Sequence, residues 1–133
     1  MWQFPSGEQA RTIDAHPVAV LALEFTQDGA SLISTGADDV LRIWDTTDWS
    51  MRMEVPLGVV GTHLLSMSPT HPHAAVTVEG AALVVDLEAG KILAELPVPG
   101  VEVYGVSYSF DGGRLATASA DGQVRVWDVA TVG

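Results

Sequence analysis

Three side chains in the first third of the sequence have the residue types used in nucleophilic catalysis: His16, Ser34 and Asp38. A serine hydroxyl attacks a carbonyl when an imidazole accepts its proton and a carboxylate orients that imidazole. Neither an oxyanion hole nor a nucleophile elbow accompanies these residues in the sequence. We therefore interpret them as structural, and we predict no catalytic residue and no enzyme.

Two histidines, His71 and His73, flank a proline and could share a metal ion. A zinc site needs three or four ligands, and the next candidate, His63, falls on a different predicted strand. The run Ser68-Pro69-Thr70-His71-Pro72 also has the composition of a rigid turn. We favour the turn, and we predict neither a metal site nor a cofactor.

The sequence is built from a repeat of about 40 residues. Trp2, Trp44, Val85 and Trp127 are separated by 42, 41 and 42 positions, and the last three each precede an aspartate. A period near 40 that closes on Trp-Asp is typical of a β-propeller, in which each repeat forms one four-stranded blade. The sequence thus predicts an all-β chain of three antiparallel blades, at about 8–45, 50–86 and 91–128.

Each repeat consists of short β-branched and aromatic runs separated by turn-forming pairs such as Asp28-Gly29 and Asp121-Gly122. The first and third copies match residue for residue from Val20 to Asp45, at a separation of 83 positions. The second copy is degenerate, and we expect it to be the least stable blade. The predicted strands lie near 9–13, 18–25, 31–36, 40–44, 51–55, 62–67, 74–78, 82–86, 91–96, 103–108, 114–118 and 123–127.

The chain resembles part of a WD-repeat β-propeller over nearly its whole length. In that family a histidine before the inner strand, a serine or threonine on the second strand, an aspartate in the next turn and the tryptophan form a hydrogen-bonded chain within a blade. The resemblance assigns these roles in the first copy to His16, Ser34 (with Thr35 as the alternative), Asp38 and Trp44.

The other two copies depart from this pattern. The third supplies Thr117, Asp121 and Trp127 but has Pro99 in the place of the histidine, and the second copy supplies no such chain. Hydrogen bonds of this kind satisfy groups that would each cost about 1–3 kcal/mol if they were buried without a partner. We therefore expect these residues to stabilise the blades.

The resemblance also implies a partner-binding face, formed by the turns that enter the inner strands and by the residue before each turn aspartate. This face is mostly apolar, with two carboxylates as its charges, and such a patch suits peptide docking. A scaffold with no partner on this face stays open as an alternative. The matching positions are Val18, Ala19, Ala37, Val60, Glu79, Glu102 and Ala120.

The composition restricts the partners. Seventeen acidic residues against six basic ones give a net charge of −11, which repels nucleic acid and anionic lipid. We therefore expect no binding to nucleic acid or membranes, and a basic protein or peptide as partner. With no apolar run of about 18 residues and no signal-peptide pattern at its start, the chain is expected to be cytoplasmic.

From these expectations we predict that the protein is a non-catalytic interaction and scaffolding module. One alternative is an enzyme that uses Glu24, Glu102 or the His63–His73 region at the channel mouth, and another is a fragment of a larger WD-repeat regulatory protein. Propellers close with about four to eight blades, so three blades predict a ring completed by further copies, with strand 9–13 completing a blade of another copy. A dimer of six blades is slightly favoured over a trimer of nine.

Overall fold

The structure, a computed structural model, describes residues 12–129, and this range contains nine β-strands. The described residues include no helix capable of spanning a bilayer. The strands are β1 Val20–Phe25, β2 Ser31–Gly36, β3 Val40–Asp45, β4 Met51–Pro56, β5 Leu65–Met67, β6 His73–Asp86, β7 Lys91–Tyr108, β8 Arg114–Ser119 and β9 Val124–Asp128.

Blade 1 is the antiparallel sheet β1-β2-β3-β4. Its first turn is closed by Asp28, whose carboxylate accepts hydrogen bonds from the Ala30 amide and the Thr26 hydroxyl. The β2–β3 turn requires a left-handed residue, Asp39, at φ 62°. The first turn sets the register that pairs Phe25 with Leu32, and the second sets the register that pairs Leu32 with Trp44.

Blade 2 is formed by β5, both halves of β6 and the first half of β7. β6 folds back on itself. This reversal brings the Leu87 amide, just beyond the end of β6, to 2.8 Å from the Pro72 carbonyl, just before its start, to which it donates. Gly80, at φ 76°, provides the left-handed residue for this two-residue turn. The second half of β7 continues without interruption into blade 3, where it pairs with β8, and β8 pairs with β9.

The all-β architecture of four-stranded antiparallel blades predicted from the sequence is confirmed. Several strand boundaries differ from the predicted ones, and β6 and β7 each span two predicted strands. β5 begins at Leu65 and not at residue 62, since His63 has a left-handed φ of 50° that a β-ladder excludes. In the strand predicted at 9–13, Thr12 and Ile13 belong to no strand, and the other positions lie outside the described residues. Blade 3 has three strands in the described range.

Two apolar cores lie between consecutive blades. The larger one joins β2, β3 and β4 of blade 1 to alternate residues of β6, including the fully buried Val76 and Val85. The other joins the opposite face of blade 2, represented by Ala82 and Val84, to Leu115 of blade 3. The degenerate second repeat therefore lies at the centre of the chain, with both faces covered.

Candidate functional site

The four residues assigned to the first hydrogen-bonded chain lie together in blade 1. The His16 ring stands between Asp38, with Nδ1 3.0 Å from Oδ1, and Ser34, with Nε2 2.9 Å from Oγ. The Trp44 indole N–H donates to the same Ser34 oxygen at 3.0 Å. With Nδ1 protonated, His16 donates to Asp38 and accepts from the Ser34 hydroxyl, so each of the four side chains in this hydrogen-bonded chain has a partner.

This arrangement fastens the segment before β1 to β2 and β3. The His16 side chain is fully buried and Ser34 is 3% exposed. The hydroxyl faces an indole and an imidazole, so it is committed to both and does not point into a cleft. Thr35, the alternative position, bonds instead to the carbonyl of His63 in blade 2 at 2.7 Å.

Asp38 is the charged member at one end of the hydrogen-bonded chain. Burial of its carboxyl raises the pKa, but hydrogen bonds and charge from Arg42 and His16 outweigh burial and hold the pKa of Asp38 below its ordinary value. Arg42, four residues later on β3, donates to Asp38 at 2.8 Å, contacts the His16 ring and also pairs with Glu54 at 3.4 Å. Asp38 is therefore an ionised acceptor at neutral pH.

Blade 3 keeps part of this network. The Trp127 indole donates to Thr117 at 3.2 Å, as Trp44 does to Ser34. Hydrogen bonds from Arg125 first and from Ser119 second lower the pKa of Asp121 to about 2. Arg125 thus binds Asp121 as Arg42 binds Asp38, while Pro99 occupies the sequence position of the histidine.

Blade 2 contains a buried histidine that the sequence pattern did not assign. His63 is fully buried, with Nε2 2.8 Å from Asp39 of blade 1 and Nδ1 3.1 Å from the carbonyl of Thr77. The expectation that the second copy has no hydrogen-bonded chain is therefore incomplete, because this histidine joins two blades where His16 joins strands within one. One signal for this histidine's partner was available in the sequence. The first copy has Asp39 where the third copy has Gly122, so its turn contains a second carboxylate.

The predicted partner-binding residues occupy equivalent positions in all three blades. Backbone amides of the β2–β3-type turns donate to carbonyls at the entry to the inner strands, and every member of these pairs is exposed. Val18 is also exposed, at 48%, beside the first pair. We call the six residues of these pairs, together with Val18, the rim. The pairs are Ala37 with Ala19, Glu79 with Val60, and Ala120 with Glu102.

One part of the rim is acidic. Glu79 and Glu102 are directly paired across β6 and β7, so two exposed carboxylates lie side by side. Like charges in this relation are unfavourable unless a cation lies near them. Val60, 56% exposed, adjoins the pair through its bond to Glu79.

The candidate metal ligands do not meet. His71 and His73 stack with ring centroids 5.4 Å apart and line an interblade cleft of about 400 Å³ beyond the end of β5, whereas His63 is buried before its start. No group of three or more potential ligands occurs among residues 12–129. The acid–base candidates of the enzymatic alternative are likewise separate, since Glu24 lies within β1, Glu102 on the rim and His63 inside the protein.

Comparison with known proteins adds to this geometry. Residues 7–45 and 90–128, more than half of the chain, match the family model described as WD domain, G-beta repeat. The second repeat, which lacks the tryptophan, falls between the two matches.

Relatives and solved structures extend well beyond the chain. It is 26% identical to small ribosomal subunit protein RACK1y of Oryza sativa subsp. japonica, over 100% of this chain and 41% of that protein. It is 29% identical to WD repeat-containing protein SL1-17 of Schistosoma mansoni, over 97% of this chain and 43% of that protein. A solved structure of U3-55K superposes with a TM-score of 0.82 at 17% identity, covering 92% of this chain and 40% of the other. The chain thus spans less than half the length of these proteins.

Proposed function

The chain belongs to the WD-repeat family, and on that premise we propose that it is a non-catalytic protein-interaction module that binds a basic segment at the rim. The observation that carries this proposal is the repetition of one exposed backbone-bonded pair in all three blades. Because the blades supply the same position three times, an extended partner can contact them in succession. The hydroxyl, imidazole and carboxylate of the first blade are committed to one another, which supports a structural role for them.

The rim favours a partner with apolar and cationic side chains. Val18 and Val60 offer apolar area, and within residues 12–129 neither of the adjoining Glu79 and Glu102 forms a salt bridge that would relieve their repulsion. The net charge of −11 would attract a basic segment from a distance. The same charge disfavours nucleic acid, so the absence of DNA or RNA binding stays a prediction, as does a cytoplasmic location.

A peptide titration tests the rim. Fluorescently labelled peptides that alternate lysine or arginine with leucine would be titrated against the wild type and the Glu79→Gln/Glu102→Gln variant. Exposed charge pairs contribute about 0.2–1 kcal/mol each, so we expect the loss of two pairs to make binding about 2- to 30-fold weaker in the variant.

The matched control is Glu88→Gln/Glu95→Gln, which removes two exposed carboxylates elsewhere in blade 2. Equal weakening by both double variants would reduce the effect to net charge and refute a rim site. A duplex DNA of similar length serves as the second probe, and binding of that DNA at physiological salt would refute the electrostatic reasoning.

We also propose that copies of the chain associate into a closed ring, of two copies with six blades or three with nine. The support is that residues 12–129 contain three blades, whereas propellers close with about four to eight. The alternative is that the chain is a part of a larger propeller, which the greater length of its relatives favours. Light scattering on the folded chain distinguishes the ring from the larger propeller. A mass of one chain would refute the ring and support the larger propeller.

A further inference from the structure

The two interfaces inside the chain define which side chains join one blade to the next. The face that blade 1 turns toward blade 2 contains Ile33, Leu41 and Ile43, all with 0% exposure. We call this the C-side face of a blade. The repeat alignment places Ala75, Ala82 and Val84 at the same positions of blade 2, and these pack toward blade 3.

The opposite face of a blade, which we call the N-side face, is also defined twice. Blade 2 presents Leu65, Met67 and Ala74 to blade 1. Blade 3 presents the aligned residues Val106, Tyr108 and Leu115 to blade 2. Both interfaces therefore join the same C-side positions to the same N-side positions.

One face of each kind remains open at the ends of the described chain. On the C-side face of blade 3, Val124 and Val126 are 69% and 63% exposed, although their counterparts Leu41 and Ile43 are fully buried. The third position of this face is Ala116.

The N-side face of blade 1 is open in the same way. Leu23 and Phe25 are 58% and 53% exposed, whereas their counterparts Val106 and Tyr108 pack against blade 2. Val20 shows a similar contrast, with 44% exposure against 1% for its counterpart Val103. Each open face thus carries large apolar side chains at the positions that the internal interfaces bury.

We propose that the C-side face of blade 3, with Val124 and Val126, packs on the N-side face of blade 1 of a second copy, with Leu23 and Phe25. This inference specifies the ring proposed above and depends on it. The two surfaces are different patches, so the contact is heterologous and repeats head to tail until rotation closes it. The occupant is a second copy because this chain carries both halves of an interface that it already forms twice.

Crosslinking tests the contact, and the natural chain has no cysteine to interfere. The Phe25→Cys/Val126→Cys variant would be treated with a short bis-maleimide and separated on a denaturing gel. Their counterparts Met67 and Ile43 belong to one packed cluster, so the two thiols should react between copies. We expect bands at two and, for a trimer, three chain masses. The matched control Val60→Cys/Val126→Cys, with one thiol moved to the exposed rim, should stay at one chain mass.

Charge substitutions provide a second measurement with a built-in rescue. We expect Phe25→Lys and Val126→Asp to reduce the light-scattering mass to one chain, and the double variant to restore it, because every interface then contains an opposite-charge pair. Circular dichroism verifies that each variant is folded.

The outcomes separate this interface from the ring itself. A wild-type mass of one chain would overturn both. A wild-type mass of two or three chains with neither crosslinking at residues 25 and 126 nor dissociation by the single variants would retain the ring and overturn the interface.

Discussion

Removal of the Asp38 carboxylate should measure what the hydrogen-bonded chain of blade 1 contributes to stability. Asp38→Ala leaves the Nδ1–H of a fully buried His16 without its acceptor, whereas Arg42 keeps Glu54 as a partner. A buried donor without a partner costs about 1–3 kcal/mol, and bonds to charged groups lie in the upper part of that range. We therefore expect the free energy of unfolding to fall by about 2 kcal/mol.

Urea unfolding followed by circular dichroism at one fixed protein concentration measures this loss, because any association makes stability depend on concentration. Asp38→Asn should lose less than Asp38→Ala, since its amide oxygen can still accept from His16.

The matched control is Asp121→Ala, at the aligned turn position of blade 3 where no histidine is present and the aspartate is more exposed. A loss for Asp38→Ala no greater than that for Asp121→Ala would refute a stabilising role for the histidine-centred chain.

Three further predictions concern pH, a buried hydroxyl and local stability. Because the folded pKa of Asp38 lies below its ordinary 3.8, its contribution should be complete at neutral pH and lost as the pH falls through the folded pKa; pH-dependent urea midpoints should show this loss, and Asp38→Asn should flatten it. Tyr108→Phe should stabilise the chain by about 1 kcal/mol, since the buried Tyr108 hydroxyl has no hydrogen-bond partner among the described residues. Burial also raises the pKa of Tyr108 to about 12, so the wild type alone should show a phenolate absorbance step there and a loss of stability between its ordinary 10.0 and that value. In the dissociated Val126→Asp variant, amide exchange should be slower in β6 than in β1, and equal rates would contradict the stabilisation of blade 2 by burial of both its faces.

The first and third blades could be predicted closely from the sequence because their turns are encoded locally. Asp28 and Asp111 each close a turn through hydrogen bonds within a few residues, so the same letters produce the same geometry 83 positions apart. The tryptophan period then fixes β3 and β9. The assignment of His16 to Asp38 needed the family resemblance, since 22 residues separate them and no local pattern joins them.

The second blade was less predictable because its stability comes from its neighbours. Its degenerate turns indicated a weak blade, but Val76 and Val85 are fully buried toward blade 1, and Ala82 and Val84 are fully buried toward blade 3. This burial depends on position in the chain and not on the quality of the repeat. His63 contacts a carboxylate of another repeat from a left-handed backbone conformation, which no pattern within one repeat encodes. The expectation that blade 2 is the weakest is therefore replaced by the opposite prediction for β6.

The continuous strand β7 has a mechanical consequence. One uninterrupted strand is both the outer edge of blade 2 and the inner strand of blade 3, so these two blades share a backbone segment. Blades 1 and 2 are joined instead by residues 57–64, which belong to no strand. A pulling force should therefore separate blades 2 and 3 only by disrupting the shared strand, whereas blade 1 can leave as a unit once the core and the His63–Asp39 contact that join it to blade 2 are broken.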